Sequence, residues 1–174
     1  AMRGPCHATL TCEHLIGDQP FGVGRSDDLC LNKGGPGVLA QMAALYVEHQ
    51  CSIVAVQEVP REEVDKYGVV AGATEGGGLT RVSEMVEKPS PEEAPSNLAV
   101  IGRYILTPDI FDIIRSTPPG KNGEVQLTDA LQTQAQEGRV LAYQFKGLRF
   151  DCGSVPGFVD ATQYVFDHYY GQPE

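Results

Sequence analysis

The chain is 174 residues long, 41% hydrophobic and 21% charged, with a formal net charge of −10 at neutral pH. That length suffices for one domain with a real core, expected here to run over residues 1–174. No stretch approaches the roughly 18 apolar residues of a membrane span, the first residues offer no apolar segment of a secretory signal, and so acidic a surface argues against a nucleic-acid partner. A phosphorylated small molecule is still admitted, because it needs only one or two placed cations and a metal. Cys6, Cys12, Cys30, Cys51 and Cys152 are an odd number without framework spacing, and read as reduced thiols in a cytoplasm.

From His7 to Ile16 the apolar residues are too sparse to define a helix face, and Lys33-Gly34-Gly35-Pro36-Gly37 is loop chemistry. Val38, Leu39, Met42, Leu45 and Tyr46 then recur at helical steps, with Pro36 suited to the first turn. The β-branched run Cys51–Val56 predicts a buried strand. Tyr67–Val70 and Leu79–Val86 flank Gly76-Gly77-Gly78 and predict a hairpin with a glycine turn. Three prolines between Pro89 and Pro95 forbid a ladder there, and Leu98–Leu106 reads as another strand.

Beyond it a short helix is expected at Pro108–Ser116 and a turn at Pro118-Pro119-Gly120. A second helix follows at Leu127–Glu137, stopped by Gly138. Arg139–Phe145 reads as a strand and Val155–Tyr170 as an amphipathic helix. Strands alternating with helices place the chain in the α/β class, with a mainly parallel or mixed sheet.

Three groups of residues could carry chemistry. Asp27, in the pair Asp27-Asp28, and Asp151 follow strand-like or turn-like segments, where carboxylates project from the edge of an α/β sheet. Brought together they would suit magnesium on phosphates; by residue type alone they are equally ordinary turn aspartates. Glu87-Lys88-Pro89 ends a strand at the proline-rich loop, and the proline is expected to hold Lys88 extended. Glu87 could accept hydrogen bonds from sugar hydroxyls while Lys88 neutralises a phosphate, and the plain alternative is a surface ion pair. The Lys33–Gly37 stretch lacks the spacing of a phosphate loop, and Cys6-His7 with Cys12 and His14 fits no zinc module.

Six stretches form one ordered pattern: Tyr67-Gly68-Val69-Val70, Val86-Glu87-Lys88-Pro89, Pro95–Tyr104, Pro118-Pro119-Gly120, Glu124–Ala130 and Phe150-Asp151-Cys152-Gly153. In this order and spacing they resemble the bacterial UTP–glucose-1-phosphate uridylyltransferases, within the sugar-phosphate nucleotidyltransferases, from about Gly17 to about Tyr170. The resemblance implies a doubly wound, Rossmann-like α/β sheet. It implies that Gly68 presents backbone to the sugar, Glu87 accepts from glucose hydroxyls, Lys88 meets the phosphate, and Val100 offers backbone to the sugar. It also implies that Asp151 and Asp27 hold Mg2+. The reaction implied joins glucose 1-phosphate to UTP, giving UDP-glucose and pyrophosphate.

The family's N-terminal G-x-G-T-R phosphate loop and its lysine have no counterpart in these residues. The chain is therefore expected to be the C-terminal, sugar-phosphate-binding part of the fold, lacking the nucleotide-binding segment. Arg3-Gly4-Pro5-Cys6-His7-Ala8 only loosely resembles the family's G-L-G-H-A segment on the uracil side, and Gly24-Arg25-Ser26 replaces an apolar strand end before Asp27. A buried arginine there would be costly unless paired. Such a remnant would be impaired as a transferase by itself, or serve as a non-catalytic sugar-nucleotide-binding or assembly module. Its exposed sheet edge and apolar faces predict a homodimer or higher oligomer. The choice between uridylyl and thymidylyl transfer stays open.

Overall fold

A computed structural model describes residues 4–120 and 123–171. The helices are α1 (Gly4–Thr11), α2 (Glu13–Ile16), α3 (Val38–His49), α4 (Ile110–Ser116), α5 (Leu127–Gln136) and α6 (Val155–Val165), the last continued by a π turn at Phe166–Tyr170. The first four strands are β1 (Phe21–Gly24), β2 (Asp28–Leu31), β3 (Ser52–Glu58) and β4 (Gly68–Gly76). The others are β5 (Leu79–Glu87), β6 (Leu98–Leu106), β7 (Val140–Gln144) and β8 (Leu148–Asp151).

Six strands form one mixed sheet in the order β1-β6-β3-β7-β5-β4. The mixed alternative is the one adopted: β3 and β7 are parallel, and the other pairings are antiparallel. The hairpin predicted around Gly76–Gly78 accounts for much of this, because β4 and β5 can only run antiparallel. It also bends the sheet back on itself. The start of β5 pairs with β7, while the start of β4 returns to β6, Val69 opposite Ala99. β2 and β8 form a separate two-stranded ribbon that sets Asp28 opposite Asp151.

Strand β3 shows why a continuous apolar run was needed. Its side chains alternate between two cores: Val54 and Val56 face Ile110, Phe111, Ile114 and Leu131 of α4 and α5, whereas Ile53 and Ala55 share a second cluster with Val38 and Met42 of α3. Helices thus cover both faces, as the doubly wound fold requires. A buried polar cluster adds register where α5 crosses β3: Ser52 Oγ donates to Gln134 Oε1 at 2.7 Å, and Gln134 Nε2 donates to Thr107 Oγ1 at 2.9 Å.

Several local expectations change. Helix α3 begins at Val38 on Gly37 as N-cap, so Pro36 precedes the first turn instead of forming it. The opening that lacked periodicity contains α1 and α2, short helices anchored by Cys6, with Leu10 and Ile16 packed at the core margin. Arg3 lies outside the described residues. The long amphipathic helix forms as α6 and its π continuation, but its apolar face is bare. Val155, Phe158, Val159, Phe166, Tyr169 and Tyr170 are all exposed. Among the described residues no helix is long and apolar enough to cross a membrane.

Candidate active site

The β4–β5 pairing sets Gly68 directly opposite Glu87. Thr128, in the first turn of α5, donates its hydroxyl to Glu87 Oε2 at 2.6 Å. A Cβ on Gly68 would stand 3.0 Å from Thr128 Oγ1 and 3.2 Å from Glu87 Oε2. Any side chain at position 68 would therefore crowd the Glu87–Thr128 hydrogen bond, a reason for glycine supplied by the protein's own side chains. Lys88 follows in an unexpected conformation. Its φ of 47° is left-handed rather than extended, and its N–H donates to the Tyr67 carbonyl at 2.9 Å. This cross-strand hydrogen bond accompanies a backbone that departs from the usual preference of a pre-proline residue. The Lys88 side chain is exposed, and among the described residues its ammonium meets no carboxylate.

Val100 is packed in the core beside Cys6 and Val70. On one edge Val100 lies opposite Val56 of β3, just before a bulge that leaves residues 101–103 out of register until Tyr104 resumes opposite Val54. The other edge meets β4 only at Leu98 and Ala99, and β1 only from Arg103 onward, so residues 100–102 border a gap there. Gly102 uses that gap: its N–H donates to Asp28 Oδ2 at 3.1 Å and its carbonyl accepts from the Arg25 N–H at 2.8 Å. Val100 lies two residues earlier, at the start of the bulge.

The ribbon closes this gap. Asp28 is buried and paired with Arg149 Nε. Arg149, whose side chain is 8% exposed, also lies 3.6 Å from Asp151 Oδ2 and donates to the Tyr67 hydroxyl at 3.2 Å. Its guanidinium stands 5.3 Å from the centre of the Tyr67 ring. Since the Tyr67 carbonyl holds Lys88, a continuous line of contacts runs from the ribbon carboxylates through Arg149 and Tyr67 to the Glu87–Lys88 wall.

Asp27 and Asp151 both approach Gly153. A Cβ on Gly153 would stand 3.1 Å from Asp151 Oδ1 and 3.5 Å from Asp27 Oδ2, so glycine leaves a space faced by both carboxylates. Two hard oxygen donors around such a space fit magnesium carrying phosphate and water as its further ligands. Asp27 already has a partner. Arg25 donates to it twice, Nη2 at 2.5 Å and Nε at 3.1 Å, and these hydrogen bonds hold the Asp27 carboxyl below its usual range. The costly buried arginine feared at position 25 is not found. Arg25 is half exposed and paired, and the buried arginine is Arg149.

Cys6 is buried and Tyr104 partly buried, both near Glu87. Burial, then the charges of Asp129 and Glu87, push the Cys6 thiol up to about 11. Burial likewise pushes the Tyr104 phenol up to about 12, where Arg25 opposes the shift and Glu87 adds to it. A thiol so raised stays protonated and inert to alkylation at pH 8. Mass spectrometry after iodoacetamide treatment of the native chain is expected to find exposed Cys12 modified and Cys6 unmodified. Modification of both at equal rates would contradict this burial.

Sequence reasoning named Gly68, Glu87, Lys88, Val100, Asp27 and Asp151; the structure links all but the core residue Val100, with Gly68 opposite Glu87, Lys88 held by Tyr67, and Asp151 and Asp27 reached through Arg149 and Gly153. It gave no role to Thr128, Arg149, Tyr67 or Arg25. Thr128 and Tyr67 did lie inside the quoted motifs. Arg149 directly precedes one of them, and a cation two residues before a candidate metal aspartate was the available signal.

This arrangement of two neighbouring carboxylates, an exposed lysine and a Thr128-held glutamate on a mixed α/β sheet can be set beside known proteins. The nucleotidyl transferase family model matches residues 2–168, and the chain belongs to that family. Within it, the chain is similar to the UTP–glucose-1-phosphate uridylyltransferase of Pseudomonas aeruginosa, with 62% identity over 169 residues, 97% of this chain and 61% of that protein. A solved structure of UDP-glucose pyrophosphorylase complexed with UDP-glucose superposes with a TM-score of 0.92 at 57% identity, over 96% of this chain and 64% of that one. The UTP-bound enzyme from Acinetobacter baumannii gives a TM-score of 0.83 at 35% identity, over 96% of this chain and 58% of that one. The resemblance drawn from the six motifs is borne out, and the chain spans about three fifths of the length of these relatives.

Proposed function

We propose that this chain supplies the glucose-1-phosphate and metal-facing side of a UTP–glucose-1-phosphate uridylyltransferase. The observation that carries the proposal is the line of contacts from the Asp27–Asp151 pair through Arg149 and Tyr67 to Lys88 and Glu87. Glu87, oriented by Thr128, accepts from glucose hydroxyls, so a sugar with a misplaced hydroxyl loses about 1–3 kcal/mol for each group left unpaired. Lys88 meets the sugar phosphate, and the backbone of Val100 borders the sugar. Magnesium between Asp27 and Asp151 would screen the charge of the approaching phosphates.

In the reaction a phosphate oxygen of glucose 1-phosphate attacks the α-phosphorus of UTP in line. The new P–O bond forms as pyrophosphate departs with the electrons of the old one. No covalent protein intermediate is needed, and the protein's work is to position and neutralise two anions. The chain contains no G-x-G-T-R loop, so turnover by these residues unaided is proposed to be impaired. Five free thiols suit a reducing cytoplasm.

Calorimetric titration of the chain with UDP-glucose and magnesium tests the assignment. Binding in the wild type that weakens about tenfold or more in Lys88→Ala is the expected outcome. Equal binding by the two would remove Lys88 from the site, and no binding by the folded protein would favour the alternative of a non-catalytic assembly module.

The bare face of α6 and its π continuation favours self-association, since six large apolar side chains stand exposed along it. We expect a homodimer or higher oligomer by light scattering. A mass equal to one chain at tens of micromolar would contradict that.

A further inference from the structure

Arg25 is built into the ribbon end more firmly than a surface ion pair requires. Its N–H donates to the Gly102 carbonyl at 2.8 Å and its carbonyl accepts from Arg103 Nη1 at 2.8 Å, so its backbone is fixed on both sides. Its side chain runs directly across Gly102: a Cβ there would fall 2.6 Å from the Arg25 Cβ. From this fixed base the guanidinium engages both oxygens of Asp27, at 2.5 and 3.1 Å. One of these, Oδ2, is the oxygen that faces the space beside Gly153 and Asp151 Oδ1. The Arg25 side chain is nonetheless 56% exposed, so its guanidinium can swing off Asp27 into solvent while its Cβ stays over Gly102.

We infer that Arg25 is a tethered counter-ion that competes with the divalent cation for Asp27, setting the concentration at which the metal enters the site. This rests on the assignment of Asp27 and Asp151 as the metal carboxylates. The Arg25 guanidinium and a divalent cation beside Gly153 would share Asp27 Oδ2; its two lone pairs could serve both, but two positive charges on one oxygen repel and each weakens the other's hold. An exposed ion pair contributes up to about 1 kcal/mol, which corresponds to about fivefold in metal affinity, and removal of a nearby positive charge acts in the same direction.

The test is a manganese(II) titration of the full 174-residue chain, following the electron paramagnetic resonance signal of free ion, for wild type, Arg25→Leu, Arg25→Gln, Arg25→Lys and Asp27→Asn. Circular dichroism verifies that each is folded. Arg25→Leu and Arg25→Gln are expected to bind manganese about fivefold tighter than wild type. Arg25→Lys should fall between, because it keeps the charge but loses the two-pronged grip; affinity equal to wild type would reduce the effect to long-range charge and overturn direct competition. Unchanged or weaker binding in both Arg25→Leu and Arg25→Gln, with Asp27→Asn clearly weakened, overturns the inference alone. Asp27→Asn binding manganese as well as wild type overturns the metal assignment and this inference with it.

Discussion

Arg149→Met is expected to lower the unfolding free energy by about 3–5 kcal/mol, measured as a fall in the urea midpoint at unchanged slope. Asp28 is 4% exposed and Arg149 8%, so removing the guanidinium leaves a carboxylate in a nearly dry site whose remaining side-chain hydrogen bond, among the described residues, is the one from the Gly102 N–H. Typical domains have a total stability of about 5–15 kcal/mol, so this loss should be visible without ambiguity. A double variant, Asp28→Leu with Arg149→Met, should recover much of it, because an apolar pair costs less than an orphaned charge. A loss below about 1 kcal/mol for Arg149→Met would mean that the ribbon is not held by this pair.

Gly68→Val is expected to weaken UDP-glucose binding by about a hundredfold in a calorimetric titration, the loss of roughly two hydrogen bonds to the sugar. A Cβ alone would crowd Thr128 Oγ1 and Glu87 Oε2 at 3.0 and 3.2 Å, and the two branches of valine must push Glu87 aside. Because Glu87 is fixed by a 2.6 Å hydrogen bond from Thr128, displacing it also breaks the bond that orients it. Thr128→Val should reproduce part of the effect while leaving Gly68 intact. Unchanged affinity in Gly68→Val would place the sugar elsewhere.

Much of the sheet was legible because its signals are local. The apolar run of β3, the glycine turn of the β4–β5 hairpin and the helical steps of α3 each lie within one stretch of chain. The β2–β8 ribbon was not, since its four-residue strands carry little pattern and its Asp28–Arg149 pair joins residues 121 positions apart. The same distinction divides the site. Gly68, Glu87 and Lys88 stand in recognisable motifs, but the function of Arg149 exists only once Tyr67, Asp28 and Asp151 surround it. Lys88 shows the opposite failure. Its local proline argued for an extended backbone, and the fold instead holds the residue left-handed against the Tyr67 carbonyl. Position 25 was a mixed case: the need for a partner was foreseeable from its charge, while its exposure and its grip on Asp27 were not.

The most direct test of the central claim is saturation-transfer NMR on the full chain with glucose 1-phosphate and magnesium, without any uridine nucleotide, comparing wild type with Glu87→Gln. A formed sugar-phosphate side predicts transfer to the glucose ring protons in wild type, displacement by UDP-glucose, and a weaker signal in Glu87→Gln. Transfer that is absent in the folded wild type, or equal in Glu87→Gln, would contradict the claim that Glu87 and its neighbours form a working sugar site.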